Sequence, residues 1–158
     1  MPLTKLNHSS MPQDSVLQVL QNELTSSVTQ DTTEATIISQ AITPKSASSK
    51  ILITCSGTVT AHAGNLLAFF LKRDNTAIGD GTGGSDYNIG GGVTNGHSSS
   101  AFDMKGFSIQ YLDSPSSTSQ ITYKLNADAF NGTSRIGGRQ DGTSIAVPTR
   151  ITLMEIAG

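Results

Sequence analysis

Tryptophan is absent from the 158-residue chain, and cysteine occurs once, at Cys55. A single thiol excludes an intrachain disulfide. Cys55 lies in Lys50-Ile-Leu-Ile-Thr-Cys-Ser-Gly57 and shares a strand face with Ile51 and Ile53, because strand side chains alternate. It reads as a small buried hydrophobe. A catalytic thiol needs a base beside it; His62 is the nearest in sequence, and nothing else in the sequence supports a dyad. Charge is also scarce. Charged residues make up 14% and the net charge is −2, so there is no basic field to attract phosphate backbones. Nucleic acid is therefore not an expected partner. No apolar run approaches the ~18 residues of a spanning helix, so no membrane insertion is expected. The opening Met1-Pro-Leu-Thr-Lys5 has no apolar core, so a signal peptide is not expected either.

What the chain has instead is serine, threonine, glycine and asparagine around short β-branched runs, the pattern of strands joined by many turns. Residues 1–15 read as an extended arm, with Leu3 and Leu6 isolated among polar residues and Pro2 and Pro12 breaking regular structure. Val16–Leu24 fits a helical stripe as well as a strand; the strand is favoured because the segments after it are strand-like. Glu34–Thr43 follows, closed by Pro44. Ile51, Ile53, Cys55 and Val59 then alternate with polar residues, as in a strand with one face on a core.

Leu66-Leu-Ala-Phe-Phe-Leu71 differs, because Leu67, Phe69 and Leu71 take one face and Leu66, Ala68 and Phe70 the other. A strand apolar on both faces must be covered twice. The second cover is expected from another subunit, with burial inside the chain as the alternative; Leu66, Ala68 and Phe70, with Leu3 and Leu6 of the arm, are the candidate interface. Residues 79–106 are loop-rich, with one short strand expected around Tyr87, Ile89 and Val93. Phe107–Leu112 and Gln120–Ala127 alternate and are expected to pair with each other across the polar turn Asp113–Ser119. A second loop, Asn131–Gly142, is rich in glycine and arginine. Thr149–Ile156 closes the chain as a core strand. The expected fold is all-β: a single antiparallel β-sandwich of jelly-roll kind, with about eight strands over residues 16–158.

Chemical motifs are sparse. Gly79-Asp-Gly-Thr-Gly-Gly84 matches the dinucleotide glycine pattern, but the next residues, Ser85-Asp-Tyr-Asn-Ile-Gly90, cannot supply the helix that mechanism requires. No cofactor is expected. His8, His62 and His97 lack metal-ligand spacing, and Asp74, Asp80, Asp86 and Asp141 read as turn formers rather than calcium ligands. With three glutamates in the chain, Glu23, Glu34 and Glu155, paired carboxylates for glycoside hydrolysis find no support, and an enzyme is not expected. The loops are where a partner would be read. Tyr87, Asn88, His97, Arg135 and Arg139 are the candidate outward contacts.

Four segments carry a family resemblance: residues 1–6, Ala41–Ile53, Tyr111–Tyr123 and Ile151–Ala157. In them the chain resembles the small tail-fibre and virion-associated structural proteins of tailed bacteriophages, especially those of marine and aquatic hosts. The resemblance implies a β-sandwich assembled as a homotrimer, made in the host cytoplasm and carried on the virion beside other capsid or tail proteins. It implies no catalytic residues. Three roles follow from it: a fibre or appendage subunit, a capsid decoration protein on the head, or a module that binds host surface glycan through its loops.

Overall fold

The computed structural model describes residues 12–61, 66–81, 93–95, 103–141 and 145–158. These residues form eleven strands and no helix. The strands are β1 (Val16–Leu24), β2 (Val28–Gln30), β3 (Ala35–Ile42), β4 (Lys50–Ala61), β5 (Leu66–Arg73) and β6 (Thr76–Ile78). They continue with β7 (Val93–Asn95), β8 (Lys105–Asp113), β9 (Ile121–Ala129), β10 (Ser134–Ile136) and β11 (Thr149–Ile156).

Two antiparallel sheets result. In the first, β1, β11, β4, β10 and β2 follow one another, and β8 also pairs with β4. With 12 residues, β4 is long enough to hold β11 along Lys50–Ser56 and β10 along Val59–Ala61, with β8 on its other edge. In the second sheet the order is β3, β9, β5, β6, and β7 also pairs with β5. The main strands therefore stack as β1-β11-β4-β8 over β3-β9-β5-β6/β7. Most connections between long strands cross from one sheet to the other, which is the jelly-roll arrangement.

Val16–Leu24 is a strand, settled by its pairing with β11 rather than by its own periodicity. Four strands of three residues each, β2, β6, β7 and β10, raise the number above the expected eight. Three residues are too few for a period of two to show in sequence. One of them, β10, falls inside the expected loop Asn131–Gly142 and buries Ser134 and Ile136. The expected pairing of the segments at 107–112 and 120–127 does not form. β8 pairs with β4, whereas β9 pairs with β3 and β5. The polar stretch between them carries the chain across the sandwich instead of folding it back. The domain also begins slightly before residue 16. Asp14 N donates to Ala157 O (2.9 Å) and Ala157 N to Ser15 O (2.8 Å). Tyr87 and Ile89 lie outside the described residues; Val93 opens β7.

The core lies between the sheets. Ile51, Ile53, Cys55, Ile151 and Leu153 point into it from the first sheet, and Leu67, Phe69, Leu125 and Ala127 from the second. Gly57 continues the inward parity of β4, opposite Phe107 in the register. A Cβ at Gly57 would lie 2.9 Å from the Phe107 ring, so the missing side chain is the room that ring occupies. Phe107 in turn meets Phe69 across the core, with ring centroids 4.3 Å apart and planes tilted by 31°. Glu155 also faces inward and is fully buried. Its carboxylate accepts hydrogen bonds from Gln18 Nε2 (2.5 Å) and Lys45 N (2.6 Å), which ties β1 and the β3–β4 connection to the last strand.

Phe69→Ala is expected to cost about 3–5 kcal/mol. Gly57→Ala is expected to cost about 1–3 kcal/mol through overpacking against Phe107. Urea unfolding checks both, as a fall in midpoint at unchanged slope.

Candidate functional site

With Leu67, Phe69 and Leu71 in the core, the alternate residues of β5 face outward from the second sheet. Leu66 and Phe70 are half-buried there, and Ala68 is buried between them. In the register, Ala68 stands opposite Asp128, Phe70 opposite Asn126, and Lys72 opposite Lys124. This outer face has a polar half and an apolar half.

The polar half is a chain of hydrogen bonds across three strands. Lys72 Nζ pairs with Glu34 Oε1 at 2.5 Å, Asn126 Nδ2 donates to the same oxygen at 2.7 Å, and Thr36 Oγ1 donates to Asn126 Oδ1 at 2.9 Å. Burial pushes the Glu34 carboxyl up, but the bonds from Lys72 and Asn126 outweigh it and hold it below the ordinary glutamate value.

The apolar half is a small open pocket lined by Leu66, Ala68, Asp128 and Phe130. Phe130 follows the last residue of β9. Its N–H donates to Leu66 O (2.7 Å), so its backbone is fixed, yet the residue is 60% exposed. Asp128 Oδ1 is buried and has no hydrogen-bond partner among the described residues. Burial, then the negative charges of Glu34 and Asp31, push the Asp128 carboxyl up.

Leu66, Ala68 and Phe70 thus lie together on one face. Leu3, Leu6, Tyr87, Asn88 and His97 lie outside the described residues. Arg135 sits on β10 of the first sheet, where its Nε and Nη2 donate to Ser27 Oγ at 3.0 and 2.9 Å. Arg139, in the turn after β10, pairs with Asp141 at 2.9 Å. Neither arginine joins the β5 face. Asp128 and Phe130 were not singled out from sequence. The available signals were an acid at the outward parity of a strand and an aromatic directly before Asn131-Gly132.

The other ionisable groups serve the fold. Asp113 is buried and accepts from Arg73 Nη1 (3.2 and 3.1 Å) and Tyr123 Oη (2.7 Å), joining β8 to β5 and β9 at the far end of the sandwich. Burial first, then Asp113, pushes the Tyr123 hydroxyl strongly up. Burial raises the Cys55 thiol to about 12, which leaves no thiolate for chemistry near neutral pH. Asp74 shapes the β5–β6 turn, accepting from Thr122 N at 2.9 Å. No group of three or more acidic, histidine or cysteine side chains gathers at metal-binding distance among the described residues. No protein-family model matches the sequence, and no curated protein matches it.

The two carboxyls predict opposite pH behaviour. Glu34, lowered by folding, stabilises above its unfolded value of 4.5, and that contribution is lost as pH falls through its folded value. Glu34→Gln is expected to cost about 0.5 kcal/mol at pH 7 and to flatten the loss of stability between pH 5 and 3. Asp128 is raised by folding, so its charged form weakens the protomer above its folded value. Asp128→Asn is expected to leave protomer stability unchanged or raise it by up to about 0.5 kcal/mol at pH 7, with no gain at acid pH. Thermal unfolding across pH checks both substitutions.

Proposed function

We propose that the chain is a non-catalytic structural subunit of a bacteriophage virion, a fibre or appendage protein that assembles as a homotrimer. The observation that carries the assembly reading is the outer face of β5 and β9, which presents Leu66, Ala68 and Phe70, with the exposed Phe130 beside Leu66 and Ala68. The open face of an antiparallel sandwich is ordinarily polar. An apolar stretch there, rimmed by the Glu34–Lys72–Asn126 network, has the anatomy of a subunit contact: an apolar centre inside a polar margin. Three copies related by a rotation bury such a face without leaving an open end. The virion setting is supported by the resemblance of residues 1–6, 41–53, 111–123 and 151–157 to tailed-phage structural proteins. A capsid decoration protein uses the same assembly at a different position on the particle.

Native mass measurement of the wild-type chain is expected to give the trimer. Leu66→Asp with Phe70→Asp is expected to give a folded monomer, because two carboxylates cannot be buried unpaired at a contact. A wild-type protein that stays monomeric at tens of micromolar, an order of magnitude suited to standard-size interfaces, overturns the assembly reading. Immunogold labelling of intact particles is expected to mark the tail appendages; label confined to the head selects the decoration role.

A further inference from the structure

The turn from β9 to β10 sets an electrophile and a nucleophile of the same chain side by side. Phe130 is fixed by its N–H on Leu66 O (2.7 Å), and Ser134 opens β10, so Asn131 and Gly132 lie between two held points and belong to no strand. Both residues are exposed. Gly132 has a φ of +77°, in the left-handed region that glycine enters at little cost. Packing does not require the glycine, because a Cβ there would meet nothing within 4 Å. The Gly132 amide nitrogen has no hydrogen-bond partner among the described residues.

A side-chain amide and the next main-chain nitrogen can close a five-membered ring. Two things ordinarily prevent it: a side chain on the following residue, which crowds the nitrogen, and a regular ladder, which holds it. Asn22 and Asn126 show the protected case, since each is followed by a residue with a side chain inside a paired strand. Neither protection exists at Gly132.

We propose that Asn131 is a site of spontaneous modification, at which its side-chain amide becomes a carboxyl by way of a cyclic imide closed by the Gly132 nitrogen. That nitrogen loses its proton to hydroxide and bonds to Asn131 Cγ. The Cγ–Nδ2 bond breaks, and Nδ2 takes up a proton and leaves as ammonia. Water then adds to an imide carbonyl and the ring opens, with no atom oxidised or reduced. Opening at Cγ gives aspartate; opening at the main-chain carbonyl gives the isoaspartyl form. Either product puts a new negative charge directly after the exposed Phe130, and the isoaspartyl form lengthens the main chain between β9 and β10 by a methylene. The reaction belongs to the single chain and does not depend on assembly.

Incubation of the full-length chain at mildly alkaline pH in heavy-oxygen water, followed by peptide mapping, tests this. The peptide containing residue 131 is expected to show the mass change of an amide-to-acid exchange, with the label in the new carboxyl. A site that reacts in place converts in the folded chain within about tenfold of its rate in urea. One that needs global unfolding is slowed by about a thousandfold or more. Asn131 also has an interaction within the chain, so the folded-state rate reads whether that interaction holds the carboxamide back. Asn131→Gln, whose longer side chain would have to close a larger ring, is expected to lose the conversion with melting unchanged. An acid form that appears only on unfolding overturns the inference. So does a mass change in that peptide that Asn131→Gln leaves in place.

Discussion

The contact of Phe69 with Phe107, in the room left by Gly57, sets the parity of β5, and most of what distinguishes the molecule follows from that parity. Either face of β5 is apolar enough to enter a core. The face that supplies Phe69 meets a ring already held over a glycine. Once Phe69 is inside, Leu66, Ala68 and Phe70 are outside, since a shift of one residue would exchange the two sets. The apolar half of the outer surface is thus fixed by packing at the centre of the sandwich.

Three carboxylates at or near the interior show how the fold treats charge. Glu155 is given two donors from separate segments, and Asp113 is given a guanidinium and a hydroxyl. Both are satisfied, and both join elements distant in sequence. Asp128 alone among them keeps an oxygen with no partner among the described residues. Asp128 itself is half-exposed on the outer face, in the pocket that Phe130 also lines.

Much of the fold was legible in the sequence because burial on one face writes a period of two. Ile51, Ile53, Cys55 and Val59 announce β4, and Ile121, Tyr123, Leu125 and Ala127 announce β9. Periodicity names the buried face of a strand but not the strand's neighbour. Hence β8 and β9, adjacent in sequence and both alternating, look like a hairpin while belonging to opposite sheets. The β5 face was legible for a related reason, since a strand apolar on both sides has a surplus to place. Asp128 and Phe130 were not, because an outward acid on a strand is ordinary until the fold sets an aromatic from beyond the strand's end against it.

The pairing of the first long strand with the last has a kinetic consequence. Gln21 Nε2 of β1 donates to Thr152 Oγ1 of β11, 131 residues later. At about 5–20 residues per second, the ribosome leaves β1 without its partner for about 7–25 s. An unpaired strand is a template for association with other chains. β1 meets that interval with Gln18, Gln21, Asn22 and Glu23 spread among its apolar residues, and with Val16 and Val19 still half-exposed in the finished sheet. These polar side chains interrupt the apolar run that an unpaired edge would otherwise present until β11 arrives to pair with it.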